Sequence, residues 1–266
     1  MTPTEPIVLY DVAWSLPLRA WNPNTWKVRA VLNYKGIPYR TEWIEFPDIE
    51  PLAKSLGVSA TSKKPNGEPL YTLPMILDPS TGKVVVDSLP ITLYLDEQYP
   101  RTPRVVPPGT LSAHKAFAAT FQRQVLEPMR RFMLSRVGAK VSERAAEYLQ
   151  GVYESQLAAP GNWEDIENAY VLHLQMRGAI YEGLAVAEDT DSGFSSGEED
   201  AEEPAPSLHE KGKTMLYCDI MVLAVFMAAR RVAGEDSMEW KRFTVAHDGY
   251  GERFMKQFGK YALMDL

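Results

Sequence analysis

The sequence predicts an α+β chain: a mixed-sheet domain over residues 1–100, a linker over 101–110 and an all-helical domain over 111–266. Three observations predict it. Up to Pro100, short apolar runs bounded by turn residues alternate with helical stretches, as buried strands and their crossovers do. Arg101–Gly109 (RTPRVVPPG) then carries three prolines, which breaks either period. From Thr110 onward the proline and strand signals fade, and long stretches of good helix formers carry a 3.6-residue apolar period.

Pro6–Tyr10 (PIVLY) reads as a first strand, followed by a loop over Asp11–Pro23 with two prolines and two tryptophans. Asn24 or Thr25 stands where a helix N-cap accepts orphan backbone N–H groups. The helix TWKVRAVLNYK stops at Gly36, a residue suited to a left-handed C-cap. Trp26, Ala30 and Val31 form its apolar face, with Lys27 and Arg29 expected elsewhere on the wheel. Pro38–Ile44 alternates and is rich in aromatic and β-branched residues, so it reads as a second strand. Phe46–Pro69 is polar and broken by proline and glycine, with room for one short helix over Ile49–Leu56.

Tyr71–Tyr94 (YTLPMILDPSTGKVVVDSLPITLY) organises the first half. Met75–Leu77 and Val84–Val86 are strands, Asp78–Gly82 supplies turn chemistry between them, and Asp87 and Ser88 open a helix where unpaired N–H groups and the positive dipole end collect. The order β-α-β, a variable helix, then β-β-α builds a thioredoxin-like sandwich with a mixed four-stranded sheet.

In the second half Leu111–Val137, Ser142–Leu157, Trp163–Ala187, Met215–Val232 and Met238–Tyr261 read as helices, with a kink expected at Glu127-Pro128. Glu188–Pro206 (EDTDSGFSSGEEDAEEPAP) is acidic and rich in serine and glycine. It cannot bury enough apolar surface to offset its ordering entropy, so a mobile surface loop over 188–206 is expected, with an interaction segment as the sharper alternative.

The net charge of −7 argues against a nucleic-acid-binding surface. The lone cysteine, Cys218, excludes an internal disulfide and fits a reducing compartment. The start MTPTEPIVLY lacks the features of a secretory signal, and no uncharged apolar stretch approaches the ~20 residues a membrane span needs. A cytoplasmic enzyme or binding protein, with no membrane partner, is the expectation. The four histidines lack metal-ligand spacing, so no metal is expected.

The aromatic-Thr-Leu-Pro strand, the hairpin, the Asp-Ser pair and the Tyr-Leu-Asp-Glu helix resemble the amino-terminal domain of glutathione transferases. The stretches IVLYD, NTWKVR, LNYKGIPY and TEWIEFPDIEP most resemble the fungal class related to bacterial β-etherases. The resemblance implies a dimeric cytosolic enzyme with glutathione as co-substrate. In that family the residue before a cis proline presents its backbone to the cysteinyl part of glutathione, and an acidic-Ser pair holds the γ-glutamyl end. Those roles would fall to Leu73, Pro74, Asp87 and Ser88. Only about 5–6 % of X–Pro bonds in folded proteins are cis, so one here would have a structural reason; a trans proline at a strand edge is the alternative.

The junction WNPNTWKVR is similar to the S-x-x-[ST]-W-[RK]-x-R form of the serine- and cysteine-type classes. Asn22 stands where their Ser or Cys would be, a departure that removes the usual hydroxyl or thiol. An amide carries two N–H donors, so Asn22, or failing it Asn24 or Thr25, could stabilise a thiolate at the helix N-terminus. Asparagine cannot act as a covalent nucleophile. The resemblance also implies a hydrophobic pocket for aromatic electrophiles, walled by Trp14, Leu16 and Trp21 and by helices of the second domain. Two functions stay open: conjugation or β-aryl ether cleavage through glutathione, and a non-catalytic carrier (ligandin) of aromatic compounds in the same cleft.

Overall fold

A computed structural model describes residues 5–13, 20–137, 141–157, 176–182 and 214–264. The first half contains β1 (Ile7–Val12), α1 (Pro23–Lys35), β2 (Tyr39–Ile44), α2 (Ile49–Ser55), β3 (Ser62–Lys63), β4 (Pro69–Leu70), β5 (Met75–Asp78), β6 (Lys83–Val86) and α3 (Ser88–Gln98). Four strands form one sheet in the order β2-β1-β5-β6. β1 runs parallel to β2 in the register Ile7↔Tyr39 and antiparallel to β5 in the register Val8↔Leu77. All six residues of β1 are buried, as a strand paired on both edges and covered on both faces must be. The short β3-β4 hairpin was not expected from the sequence: each arm has two residues, too few to show a period.

Helix α1 begins earlier than the sequence suggests. Asn22 is the N-cap and Pro23 the first helical residue, where a missing N–H costs nothing and the fixed φ is already helical. At the other end Gly36, with φ 62°, turns the chain out of the helix and donates its N–H to Asn33 O at 3.2 Å. Lys27 and Arg29, expected off the apolar face, are both buried as well. Helix α8 (Tyr217–Ala233) packs against α1, so α1 has no solvated face. Burying a cation requires a partner. Arg29 Nη2 donates to Asp11 Oδ2 at 3.1 Å, and the guanidinium lies over the rings of Trp26, Tyr39 and Trp43 at 5.6, 5.4 and 5.7 Å. Lys35 Nζ donates to Asp96 Oδ1 at 2.7 Å. Asp96 also accepts the N–H groups of Val105 and Val106, which pins the proline-dense segment against the first domain.

Asp78 closes the hairpin turn and is fully buried. Its Oδ2 accepts the hydroxyls of Tyr94 and Tyr99, each at 2.6 Å, and its Oδ1 accepts the Ser80 N–H at 2.9 Å. One carboxylate thus ties the turn between β5 and β6 to α3.

The second half holds α4 (Leu111–Phe121), α5 (Glu127–Val137), α6 (Glu143–Leu157), a helical stretch α7 over 176–182, α8 and α9 (Met238–Phe258). The irregularity expected at Glu127-Pro128 is present as a wider turn immediately before the proline. Gln122–Leu126 is a π-helical turn in which the Glu127 N–H reaches back five residues to Gln122 O. Pro128 has no N–H to give the preceding turn, and its ring would crowd the carbonyl four residues back, that of Gln124, which lies inside this wider turn. In α8 Phe226 meets the rings of Phe243 and Phe254 at 4.6 and 5.6 Å, the centre of this half's core. The expected helix Met238–Tyr261 ends at Phe258 and continues as a 3-10 turn over Gly259–Tyr261. Within α9, Asp248 and Gly249 have φ values of 57° and 72°, and a Cβ on Gly251 would lie 2.8 Å from Thr244 O. Only glycine fits so close an approach. The acidic stretch 188–206, the residues 163–175 and 183–187 of the expected third helix, and Trp14 and Leu16 lie outside the described residues.

Candidate functional site: two adjoining clefts at the tip of α1

Two clefts meet beside the N-terminus of α1. The smaller, of about 360 Å³, is lined by Asn24, Lys27, Leu73, Pro74, Asp87, Ser88 and Tyr217. The larger, of about 470 Å³, is lined by Trp21, Asn22, Phe46, Tyr71, Leu73, Arg130, Tyr148 and Tyr153 among others. Asn24, Thr72, Leu73 and Gln122 border both.

The Leu73–Pro74 bond is cis, and Leu73 stands at the boundary between the clefts. Across from it Asp87 has φ 69° and ψ 141°, a backbone region that side-chain-bearing residues rarely enter and that costs of order 1–3 kcal/mol. Its N–H donates to Pro74 O at 3.1 Å and its carbonyl accepts the Ile91 N–H at 2.9 Å. These bonds hold the strained residue between the cis-proline strand and α3. Asp87 makes no side-chain cap to α3, so its carboxylate is left for the cleft. Ser88 follows as the first residue of α3, with its Oγ 2.9 Å from the Tyr217 hydroxyl.

Lys27 is the charged group of the cleft that sequence reasoning did not single out. It lines the smaller cleft, is 4 % exposed, and donates to Asn24 Oδ1 at 3.0 Å. Burial drives its pKa down to about 8, against an opposing pull from Asp87. Burial raises the Asp87 carboxyl in turn, and Lys27 lowers it. Neither charge fully compensates the other, so the cleft has cationic and anionic groups with bonding capacity to spare. The signal that could have found Lys27 was its place in the W-[RK]-x-R register of the junction.

Of the three thiolate-stabilising candidates, the structure brings two to the clefts. Asn22 Oδ1 accepts the Asn24 N–H at 2.9 Å, the N-cap bond of α1, so the group it offers to the larger cleft is its NH₂. Asn24 likewise has its oxygen engaged by Lys27, and it borders both clefts. Thr25 is fully buried and donates its hydroxyl to Asn22 O at 3.0 Å, which places it inside the domain and on neither cleft. Trp21 is buried and packs on Phe46 with centroids 6.2 Å apart. Phe46 in turn stacks on Tyr148 of α6 at 6.3 Å and 21°, so both domains supply the aromatic wall.

Cys218 is buried, and burial raises its thiol well above the ordinary value, which leaves it inert packing. Asp219 accepts the Leu216 N–H at 2.9 Å, one half of a capping box; Leu216 has no hydroxyl for the other half. Among the described residues no group of three or more His, Cys, Asp or Glu could hold a metal, and no helix is long and apolar enough to cross a membrane.

The site thus lies between a four-stranded thioredoxin-like domain, with a cis proline at its cleft, and a helical domain that closes the cleft's far wall. Comparison with known proteins identifies this arrangement. The family models for the glutathione S-transferase N-terminal and C-terminal domains match residues 21–98 and 185–261. A crystal structure of the glutathione transferase GSTFuA3 from Phanerochaete chrysosporium is 36 % identical, with a TM-score of 0.79 over 98 % of this chain and 99 % of that one. A glutathione S-transferase of Ceriporiopsis subvermispora, solved in complex with glutathione, is 34 % identical, with a TM-score of 0.76 over 98 % and 99 % of the two chains. The glutathione S-transferase-like protein ustS of Aspergillus flavus is 42 % identical over 127 residues, which cover 44 % of this chain and 45 % of that protein's length. The chain belongs to the glutathione S-transferase family.

Proposed function

We propose that the chain is a glutathione transferase acting on hydrophobic aromatic electrophiles, by conjugation or by β-aryl ether cleavage. The observation that carries this reading is the meeting of a charged cleft and an aromatic cleft at Asn24 and Leu73. In this reading the γ-glutamyl end lies in the smaller cleft: its carboxylate faces Lys27, Ser88 and the N-terminus of α3, and its ammonium faces Asp87. The backbone of Leu73 holds the cysteinyl unit, which brings the sulfur to the tip of α1.

A free thiol of pKa ~8.5 is mostly protonated at neutral pH. The positive end of α1 and the NH₂ groups of Asn22 and Asn24 favour its ionised form. The thiolate then attacks a carbon of an electrophile held by Trp21, Phe46 and Tyr148. A C–S bond forms, and halide or phenolate leaves with the electron pair. A homodimer is part of the same reading and rests on family membership; sedimentation velocity checks it.

Titration calorimetry tests the binding half. Glutathione should bind the wild-type chain and bind Ser88→Ala more weakly; no heat at millimolar glutathione would reject the reading. The carrier alternative has its own support, since Asn22 stands in place of a hydroxyl or thiol beside an aromatic cleft. Glutathione-dependent turnover of an aryl halide or β-aryl ether, reduced in Asn22→Ala, separates catalyst from carrier.

A further inference from the structure

Tyr217 is a buried phenol of the helical domain that reaches into the smaller cleft. It is the first residue of α8, 2 % exposed, and its hydroxyl lies 2.9 Å from Ser88 Oγ of the other domain. The ring of His114 stands edge-on to it at 6.3 Å. That imidazole is fully buried, and neither of its nitrogens has a hydrogen-bond partner among the described residues. Burial takes its pKa down to about 4, so it is neutral and adds no charge beside the phenol. Burial also pushes the Tyr217 hydroxyl well above its ordinary value, so it keeps its proton throughout the neutral range.

Between two hydroxyls either oxygen can donate, and a ligand decides which does. A carboxylate at the N-terminus of α3 accepts only. Ser88 must then give its proton to the ligand, and its oxygen becomes the acceptor for the Tyr217 O–H. The hydrogen bond from Ser88 to the anion is charge-assisted, and a donor behind it polarises it further.

We propose that Tyr217 is a positioning residue for the γ-glutamyl carboxylate: it donates to Ser88 Oγ, fixes that hydroxyl as a donor toward the anion, and so makes the helical domain part of the peptide site. The proposal rests on the glutathione reading above. It predicts that a group outside the thioredoxin-like domain sets affinity for one end of the peptide alone.

The experiment is calorimetry on wild type, Tyr217→Phe, Ser88→Ala and the double variant. The two ligands are glutathione and its 4-aminobutyryl analogue, which keeps the amine and lacks the α-carboxylate. Tyr217→Phe, isosteric and without the hydroxyl, should weaken glutathione about three- to tenfold and leave the analogue unchanged. In the Ser88→Ala background the same substitution should cost nothing further, because the phenol acts through the serine. Equal losses for both ligands would reduce Tyr217 to a domain-docking group and overturn the proposal. So would no loss, or losses that multiply independently in the double variant. Binding of neither ligand by the wild-type chain would instead reject the glutathione reading itself, and this proposal with it.

Discussion

The two clefts share a border at Asn24 and Leu73 but are built on opposite terms. The smaller is made largely from backbone-defined points: the cis-proline strand, the left-handed Asp87 and the first residue of α3. The larger is made from side chains on separate elements, with Phe46 from one domain and Tyr148 from the other meeting ring to ring. Charge recognition needs fixed positions, because an ion pair weakens with each ångström and each added water. Apolar recognition needs only area removed from water, and rings on different elements supply it. Substitutions should therefore damage the smaller cleft selectively and the larger one gradually, and four of them test that contrast.

The largest effect should come from the support under both clefts. Arg29→Met leaves Asp11 buried without its cation and should destabilise the fold by about 3–5 kcal/mol in urea unfolding. A loss under 1 kcal/mol would mean that α1 does not depend on the pair.

Lys27→Met separates the clefts. It should weaken S-methylglutathione by about 1.5–3 kcal/mol and leave binding of a neutral aromatic ligand unchanged. In wild type this affinity should begin to decline as pH rises above about 8, where Lys27 loses its proton; the variant should lack this step and keep only the later decline from the ligand's own ammonium, which titrates in both. The ligand has no thiol, so thiol ionisation does not enter. For the unliganded fold the sign is reversed. The folded chain binds this proton less tightly than the unfolded chain, whose ordinary value is 10.5, so the penalty lessens as pH rises from about 8 toward 10.5. Lys27→Met should therefore be more stable than wild type at pH 7, by thermal melting. Equal loss of both ligands would show the clefts to be one site.

Phe46→Ala should do the converse. Removing a ring that touches both Trp21 and Tyr148 should weaken an aromatic ligand by about 1 kcal/mol and leave S-methylglutathione as it was. The smallest effect belongs to the rim. Arg144 of α6 pairs with Glu45, at 3.4 Å, and with Asp48 on the first domain, at the solvent-accessible rim. Arg144→Ala should leave the urea midpoint nearly where it was, and added salt should erase any difference.

Much of this was legible in the residues. The strands β1, β2, β5 and β6 announce themselves as short apolar or alternating runs, and Gly36 marks the end of α1 because few residues tolerate its φ. The Asp87–Ser88 helix start and the cis bond at Leu73–Pro74 stand where the resemblance puts them. What escaped was set by packing across the two halves. The helical wheel sets Lys27 and Arg29 off the apolar face but does not show that both are buried, Arg29 against Asp11, Tyr39 and Trp43 of the sheet and Lys27 in the cleft that Tyr217 of α8 helps to line. The kink expected at Glu127-Pro128 takes the form of a π turn over the residues just before it, because a proline disturbs the turn behind its own position. Tyr217 carries no local signal at all: its partner Ser88 is 129 residues away.

Asp78 has a consequence that reaches beyond its own turn. By gripping both Tyr94 and Tyr99 it welds the hairpin to the helix that carries Ser88, while the Asp87 N–H fastens the helix tip to Pro74. Leu73, Pro74, Asp87 and Ser88 thus form a single unit assembled in advance, and on that side of the cleft little ordering entropy is left to lose on encounter. Stopped-flow mixing with glutathione should show one exponential whose rate climbs in proportion to ligand concentration, with no plateau from a slow rearrangement.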